Sequence, residues 1–352
     1  PEPVEIRKIA LRSVSYPVRP VGDFRCSDAM LNRIWRVGRD TVHLCMQDHF
    51  ECCPARDQSL CIGDLLWDAP VACYAFGESR LTRKCLRQIA AIQHPEGWMP
   101  AVGPIQSKTL LTDFCAYWVT ILHEHYLHTG DRELLEELYP SFERLMAWFA
   151  KQEDPYHLLH PGQRAAADEW CFIDRAPVDK RDEVTALQCA YHKALLDAAA
   201  ICDALGKGER AAFHRKHAGV VRKAINDRLW DDWRIFIDCR TRSLYSKKVS
   251  VPTNALALLC GVASGARAKK IIQYLSECDT VTPAGTPFMT GLFAKALFHH
   301  DRGAEAIQMI REYWGEMIRR GATTFWEEFD PRTPRTCVPL SLDDNHSMTS
   351  LC

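Results

Sequence analysis

Two stretches of this 352-residue chain concentrate side chains that can move protons. The first runs Glu51-Cys52-Cys53-Pro54-Ala55-Arg56-Asp57-Gln58-Ser59-Leu60-Cys61-Ile62-Gly63-Asp64, with three carboxylates and a guanidinium in one turn-rich segment that opens a helix. Asp64 follows Gly63, so a plain helix cap is its competing role. Asp57 sits mid-loop beside Arg56, where a surface ion pair is the competing role. The second stretch, at 321–330, reads Gly-Ala-Thr-Thr-Phe-Trp-Glu-Glu-Phe-Asp. It sets the adjacent carboxylates Glu327 and Glu328 among Phe325, Trp326 and Phe329. Aromatic faces beside carboxylates suit a sugar, whose C–H faces stack on rings while its hydroxyls take polar partners. Exposed glutamates next to core aromatics are the alternative.

Two weaker constellations join them. Asp168-Glu169-Trp170 repeats the acid-and-tryptophan theme in another long loop, and Asp343-Asp344-Asn345-His346 opens the last expected helix. Each is weak alone, but four acid-bearing loops on one scaffold are harder to assign to chance. Other chemistries lack their signatures: no HExxH, GxSxG, Walker A or GxGxxG pattern occurs. His123 and His125 are two apart, which on a helix points them to different faces and argues against a metal pair. No metal and no cofactor is expected.

Bulk properties narrow the field. The 44 basic and 45 acidic residues leave a net charge of −1, so no field of one sign attracts nucleic acid or an anionic membrane. No apolar run approaches the roughly 20 residues that span a bilayer. A 47% hydrophobic fraction with 25% charged residues is globular. The 16 cysteines include no CxxC, and Cys52-Cys53 is the adjacent pair. Cys189 and Cys202 fall within an apolar-periodic helix, where a thiol packs as a small hydrophobe. Reduced thiols and a cytoplasmic location are the expectation, with a few bridges or a metal site as alternatives that no spacing supports.

Helices must position these loops. Ser27-Asp28 is a plausible N-cap for a first helix carrying Met30, Leu31, Ile34, Trp35, Val37, Val42 and Leu44 at helical spacing. Periodicity predicts further helices near 64–77, 79–93, 113–129, 132–151, 184–205, 208–230, 252–262, 266–278, 286–299, 303–319 and 343 to the end. Breakers such as Thr129-Gly130-Asp131 and Leu205-Gly206-Lys207-Gly208 separate them. Tight turns alternate with long loops near 47–63, 94–112, 152–183 and 320–342, and long loops on one rim of a scaffold usually carry function. A solenoid would show a 34–47-residue repeat, and none is found. A closed ring of about twelve helices is therefore the expected fold. Residues 1–22 alternate apolar and polar and read as one or two strands belonging with a separate β-domain, and 231–250 as a short hairpin.

These residues resemble the α-L-rhamnosidases of glycoside hydrolase family 78. The stretch 51–64 is similar to that family's Asp-Cys-Pro, acidic residue, Gly-Asp signature, and 321–327 to its Gly-Ala-Thr-Thr-x-Trp-Glu. Phe24-Arg25-Cys26-Ser27-Asp28 with Leu31-Asn32-Arg33-Ile34-Trp35, and Tyr126-Leu127-His128-Thr129-Gly130-Asp131, match further segments. The resemblance spans about residues 20–350. It implies an all-α (α/α)6 barrel over 23–352, preceded by a β-sandwich remnant at 1–22. It further implies Asp57 as general acid, Glu327 as general base and Asp64 as a sugar-binding carboxylate. Glu51, Arg56, Glu169, Trp170, Trp326 and His346 fall where sugar-contacting residues are expected. Cys52 replaces the family's aspartate, Asp57 its usual glutamate, and Cys61 an aromatic.

The implied reaction is inverting hydrolysis of terminal α-L-rhamnosides, with two carboxyl groups about 6.5–9.5 Å apart around a water. Asp57 would then need a raised pKa, so Arg56 is expected to point away from it. The alternatives are a sugar-binding barrel without turnover, and a related six-hairpin glycosidase or phosphorylase acting on another sugar. A carbohydrate substrate is the expected partner, with accessory β-domains or a second copy of the chain beside it.

Overall fold

The computed structural model describes residues 5, 7–54, 56–160, 170–231, 235–241, 246–278 and 281–332. Eleven α-helices occur among them: α1 (Ala29–Cys45), α2 (Ile62–Phe76), α3 (Arg80–Ala91), α4 (Thr112–Thr129), α5 (Arg132–Gln152), α6 (Thr185–Ala204), α7 (Gly208–Arg228), α8 (Val251–Leu259), α9 (Gly265–Glu277), α10 (Pro287–His299) and α11 (Gly303–Arg319). Each matches one predicted from periodicity. The helix expected from 343 onward lies outside the described residues.

Sequence pattern separates the helices into two layers. In α4 every residue from Thr112 to Leu122 is buried, and α6 is buried almost as completely. A helix apolar on all sides belongs inside a ring. By contrast α3 and α5 bury one stripe and expose the rest, as outer helices do. Packing follows: α2 lies against α4, α4 against α6, α6 against α8 and α8 against α10, while α1, α3, α5, α7, α9 and α11 stand outside. The chain therefore alternates outer and inner, the order of an (α/α)6 barrel. Between α10 and α2 lies an apolar cavity of about 370 Å³, lined by Val42, Trp67, Val71, Phe298 and Trp314 among others.

Alternation explains why the long loops share a rim. Every outer-to-inner connection leaves at one end of the barrel, and every inner-to-outer connection turns tightly at the other. Gly77 and Gly130 end α2 and α4 there with φ of 62° and 68°, the left-handed conformation glycine adopts without steric cost. On the loop rim, two short ladders tie neighbouring connections together. Leu60–Cys61 pairs antiparallel with Val102–Gly103, and Glu183–Val184 with Cys239–Arg240.

Two expectations change in detail. Among its described residues the 1–22 segment is extended but joins no ladder, and Ile9 and Leu11 are 82% and 99% exposed. The expected strands were assigned to a separate β-domain, and among the described residues of this chain they meet no partner strand. The segment is instead pinned by single bonds, from Tyr16 N–H to the Met46 carbonyl and from Val21 N–H to that of Ala75. The 231–250 segment does fold back on itself, through Asp238 N–H to Lys248 and Ser246 N–H to Cys239. Its named strand, however, pairs with Glu183–Val184. As spacing required, His123 and His125 diverge, the first to Asp197 at 2.8 Å and the second to Asp131 at 3.4 Å.

All 14 described cysteines are free thiols. No helix among the described residues is long and apolar enough to cross a membrane.

Candidate active site

Asp64 is not a cap. Helix α2 begins at Ile62, its N-cap is Cys61, and Asp64 points inward from the first turn with one oxygen, Oδ2, buried and without a hydrogen-bond partner. Such an oxygen can take a further donor. Burial pushes the Asp64 carboxyl up to about 6. Thiols of Cys52 and Cys61 donating to it oppose the rise, and the charges of Glu327 and Asp57 add to it.

The Asp57 loop is a tight turn folded on Cys53. Cys53 and Gln58 both take φ of 49°, and the N–H groups of Arg56 and Asp57 donate to the Cys53 carbonyl at 2.8 and 3.1 Å. A bridge between Cys52 and Ser59 closes its base. Asp57 thus projects from the tip, its side chain 42% exposed.

Glu327 arrives from the far end of the chain. Phe325 is buried against Trp314, and its N–H donates to Thr41 Oγ1 of α1 at 3.1 Å. Two residues past that anchor, the Glu327 carboxylate is 17% exposed and accepts from the Cys53 thiol at 3.5 Å. Trp326 is half-buried and packs edge-on against Phe329.

Arg56 joins the two loops, which corrects the expectation that it points away. It donates to Asp57 through Nε at 3.0 Å and Nη2 at 2.6 Å, and the same Nη2 lies 4.0 Å from Glu327 Oε2. Adjacent carboxylates offered the guanidinium more charge inside than solvent did outside. Asp57 Oδ2 and Glu327 Oε2 can therefore stand no farther apart than those two legs combined, which is at or below the lower limit of the roughly 6.5–9.5 Å that an inverting pair needs while Arg56 holds them.

A third loop supplies residues that the sequence analysis missed. Ile173, Asp174 and Arg175 have φ of 46°, 47° and 51°, three consecutive left-handed residues of which one is β-branched. Such backbone is costly and persists only where its surroundings impose it. Asp113, buried in the first turn of α4, accepts from the N–H groups of Phe172 at 3.0 Å and Ile173 at 2.9 Å. Asp174 is half-buried and accepts from Thr286 Oγ1, the N-cap of α10. Burial lifts its carboxyl well above the ordinary range; the Thr286 bond opposes this, and the charges of Asp64 and Glu327 add to it. Arg175 reaches Glu327 Oε1 at 3.9 Å and Glu328 at 3.5 Å. The available sequence signal was an Asp-Arg pair directly after the acid-and-aromatic run at 168–172.

Of the other expected residues, Trp170 is buried, with its indole N–H spent on the Lys180 carbonyl at 3.3 Å. Glu51 is half-buried on the α1 side of its loop, where its N–H donates to Cys45. Glu169 and His346 lie outside the described residues.

A stability prediction follows from Asp64. Its folded-state pKa is raised above the ordinary 3.8, so the folded chain prefers the neutral acid. That contribution is full below about pH 4 and lost as pH rises through about 6. Asp64→Asn carries no such charge. Between pH 4 and pH 8 its stability relative to the parent should improve by about 3 kcal/mol. Melting temperatures at the two pH values check this, and an unchanged difference would show that Asp64 ionises without cost.

The site can be set beside known proteins. The sequence profile described as the bacterial alpha-L-rhamnosidase 6 hairpin glycosidase domain matches residues 19–352. An alpha-L-rhamnosidase of Streptomyces avermitilis is 27% identical over 292 residues, covering 80% of this chain and 26% of that protein. The GH78 family rhamnosidase of Bacillus sp. GL1 superposes with a TM-score of 0.86 at 31% identity, over 95% of this chain and 35% of that one. A rhamnosidase from Klebsiella oxytoca, solved with rhamnose bound, superposes with a TM-score of 0.79 at 27% identity, over 92% and 60%. The chain thus spans about a quarter of the curated relative and between about a third and three fifths of these two solved relatives.

Proposed function

The chain belongs to the family of bacterial alpha-L-rhamnosidases with a six-hairpin glycosidase domain, and from that premise we propose that it hydrolyses terminal α-L-rhamnosides with inversion. The observation that carries the reading is the single guanidinium shared by Asp57 and Glu327, 270 positions apart in the chain. Barrel alternation brings both loops to one rim, and what supports the reading is that their carboxylates there face one another across a single guanidinium.

In this reading Asp57 donates its proton to the glycosidic oxygen as the bond from that oxygen to the anomeric carbon breaks. Glu327 takes a proton from a water that attacks the same carbon from the opposite face. The new C–O bond therefore forms on the face away from the leaving group. Arg56 is the group that substrate displaces, since its departure both frees Asp57 and opens space for the water. Asp64 and Asp174 are half-buried carboxyl groups at the same rim, with which sugar hydroxyls could exchange hydrogen bonds. Trp326 offers the half-buried aromatic surface beside the base.

The Arg56–Asp57 pair also favours a second reading, a sugar-binding barrel whose acid is permanently held. A panel of nitrophenyl glycosides separates the two. Release from the α-L-rhamnoside alone supports the proposal. Calorimetric binding of L-rhamnose with no release from any member supports the second reading, and release that requires phosphate would indicate a phosphorylase.

A further inference from the structure

The thiols beside the acid have no part in the reaction above. Cys52 Sγ and Cys53 Sγ lie 3.7 Å apart, and both lie with an Asp57 carboxylate oxygen inside a cluster whose ligand atoms are all within 4.8 Å of one another. Zinc binds thiolate at about 2.3 Å with tetrahedral angles, which sets two coordinated sulfurs about 3.8 Å apart. The thiols thus already stand at the edge length of such a site. Cys53 Sγ is also 3.5 Å from Glu327 Oε2, which places a further carboxylate beside the cluster. Spacing rules do not find it, because adjacent cysteines match no CxxC pattern.

We propose that Cys52, Cys53 and Asp57 form a binding site for a thiophilic divalent cation, zinc or cadmium, that closes the candidate active site when filled. Two metal–sulfur bonds form as two S–H bonds break, and both protons pass to solvent. The Asp57 carboxylate becomes the third ligand, so Arg56 must release it. The cation and the Arg56 guanidinium are therefore alternatives at one position.

Proton release sets the pH behaviour. The hydrogen bond shared with Cys52, then burial, then the charges of Cys52, Glu327 and Asp64 hold the Cys53 thiol far above its ordinary range. Metal must displace those protons, so affinity should rise by up to about 100-fold per pH unit, the slope of a two-proton exchange. Arg56 and Arg175 oppose a cation here, and Asp64, Glu327 and Glu328 favour one.

Cadmium titration of the full chain tests this through the cadmium–thiolate charge-transfer absorbance, a readout independent of what the site hydrolyses. The parent should bind one equivalent tightly, and more tightly at pH 8 than at pH 7. Cys52→Ser should abolish that equivalent, and a Cys26→Ser control, altering an exposed thiol, should keep it. Asp57→Asn, a change at an exposed tip, should keep the thiolate band and lower affinity at least about tenfold, which decides the matter should Cys52→Ser not fold. No tight equivalent in the parent, or parental affinity in either site variant, overturns the proposal. If rhamnoside release is confirmed, one equivalent of cadmium should also stop it. Binding without any hydrolytic activity in the parent would leave this site standing and remove the hydrolase reading.

Discussion

Glu327→Gln should lower kcat on an α-L-rhamnoside by about 10³-fold while leaving KM and the melting temperature close to those of the parent. The amide matches the carboxylate in size and still accepts a hydrogen bond from the Cys53 thiol, so packing at the rim is preserved. What it cannot do is take a proton from water. Loss confined to kcat is the mark of an interaction made only in the transition state. Steady-state rates with the nitrophenyl rhamnoside, alongside a thermal melt, make the comparison. A kcat within tenfold of the parent would assign the base elsewhere, with Glu328 and Asp174 the next carboxyl groups to replace.

Asp57→Asn should show an effect that depends on the leaving group. A glycosidic oxygen leaving as an alkoxide needs its proton, so rhamnosides of simple alcohols or sugars should slow by about 10³-fold or more. Nitrophenolate leaves readily unprotonated and should slow far less. The plot of log kcat/KM against leaving-group pKa should therefore steepen in the variant. Equal losses across the series would mean that Asp57 positions substrate and protonates nothing. Arg56 sharpens the point, because its pairing with Asp57 is a resting arrangement that a bound sugar must break.

Helices were legible because their punctuation is local. Gly77 and Gly130 end α2 and α4 in left-handed conformations, and Asp28 caps α1 by accepting from Met30 and Leu31. The alternation of tight turn and long loop also fixed which loops would meet, since an outer–inner chain returns every long connection to the same rim. Which helices form the inner layer came only with the structure, from the all-round burial of α4 and α6.

Contacts that depend on side-chain direction were not legible. The sequence suggested an Arg56 turned outward, whereas two converging carboxylates draw it in. For Asp64 the residues alone left a cap and a sugar-binding carboxylate open, and the start of α2 two residues earlier removes the cap. Asp174 was passed over for Asp168 and Glu169. Nothing local favours a left-handed Ile173, and the conformation is imposed by Asp113, 60 positions away. Apolar alternation in the first 22 residues implied strands of a separate β-domain, and a pattern alone does not name the partner that such strands pair with. The Cys52-Cys53 pair carried no recognised spacing, and its geometry emerges only from the turn centred on Cys53.

The central claim is that Asp57 and Glu327 act on opposite faces of one rhamnosyl carbon with a water between them. Proton NMR of the anomeric region, followed from the first minutes of nitrophenyl α-L-rhamnoside hydrolysis by the parent chain, tests it most directly. The account predicts that β-L-rhamnose is released first and then equilibrates with the α anomer. α-L-Rhamnose as the first product would require a covalent intermediate, and would contradict the roles given to both residues.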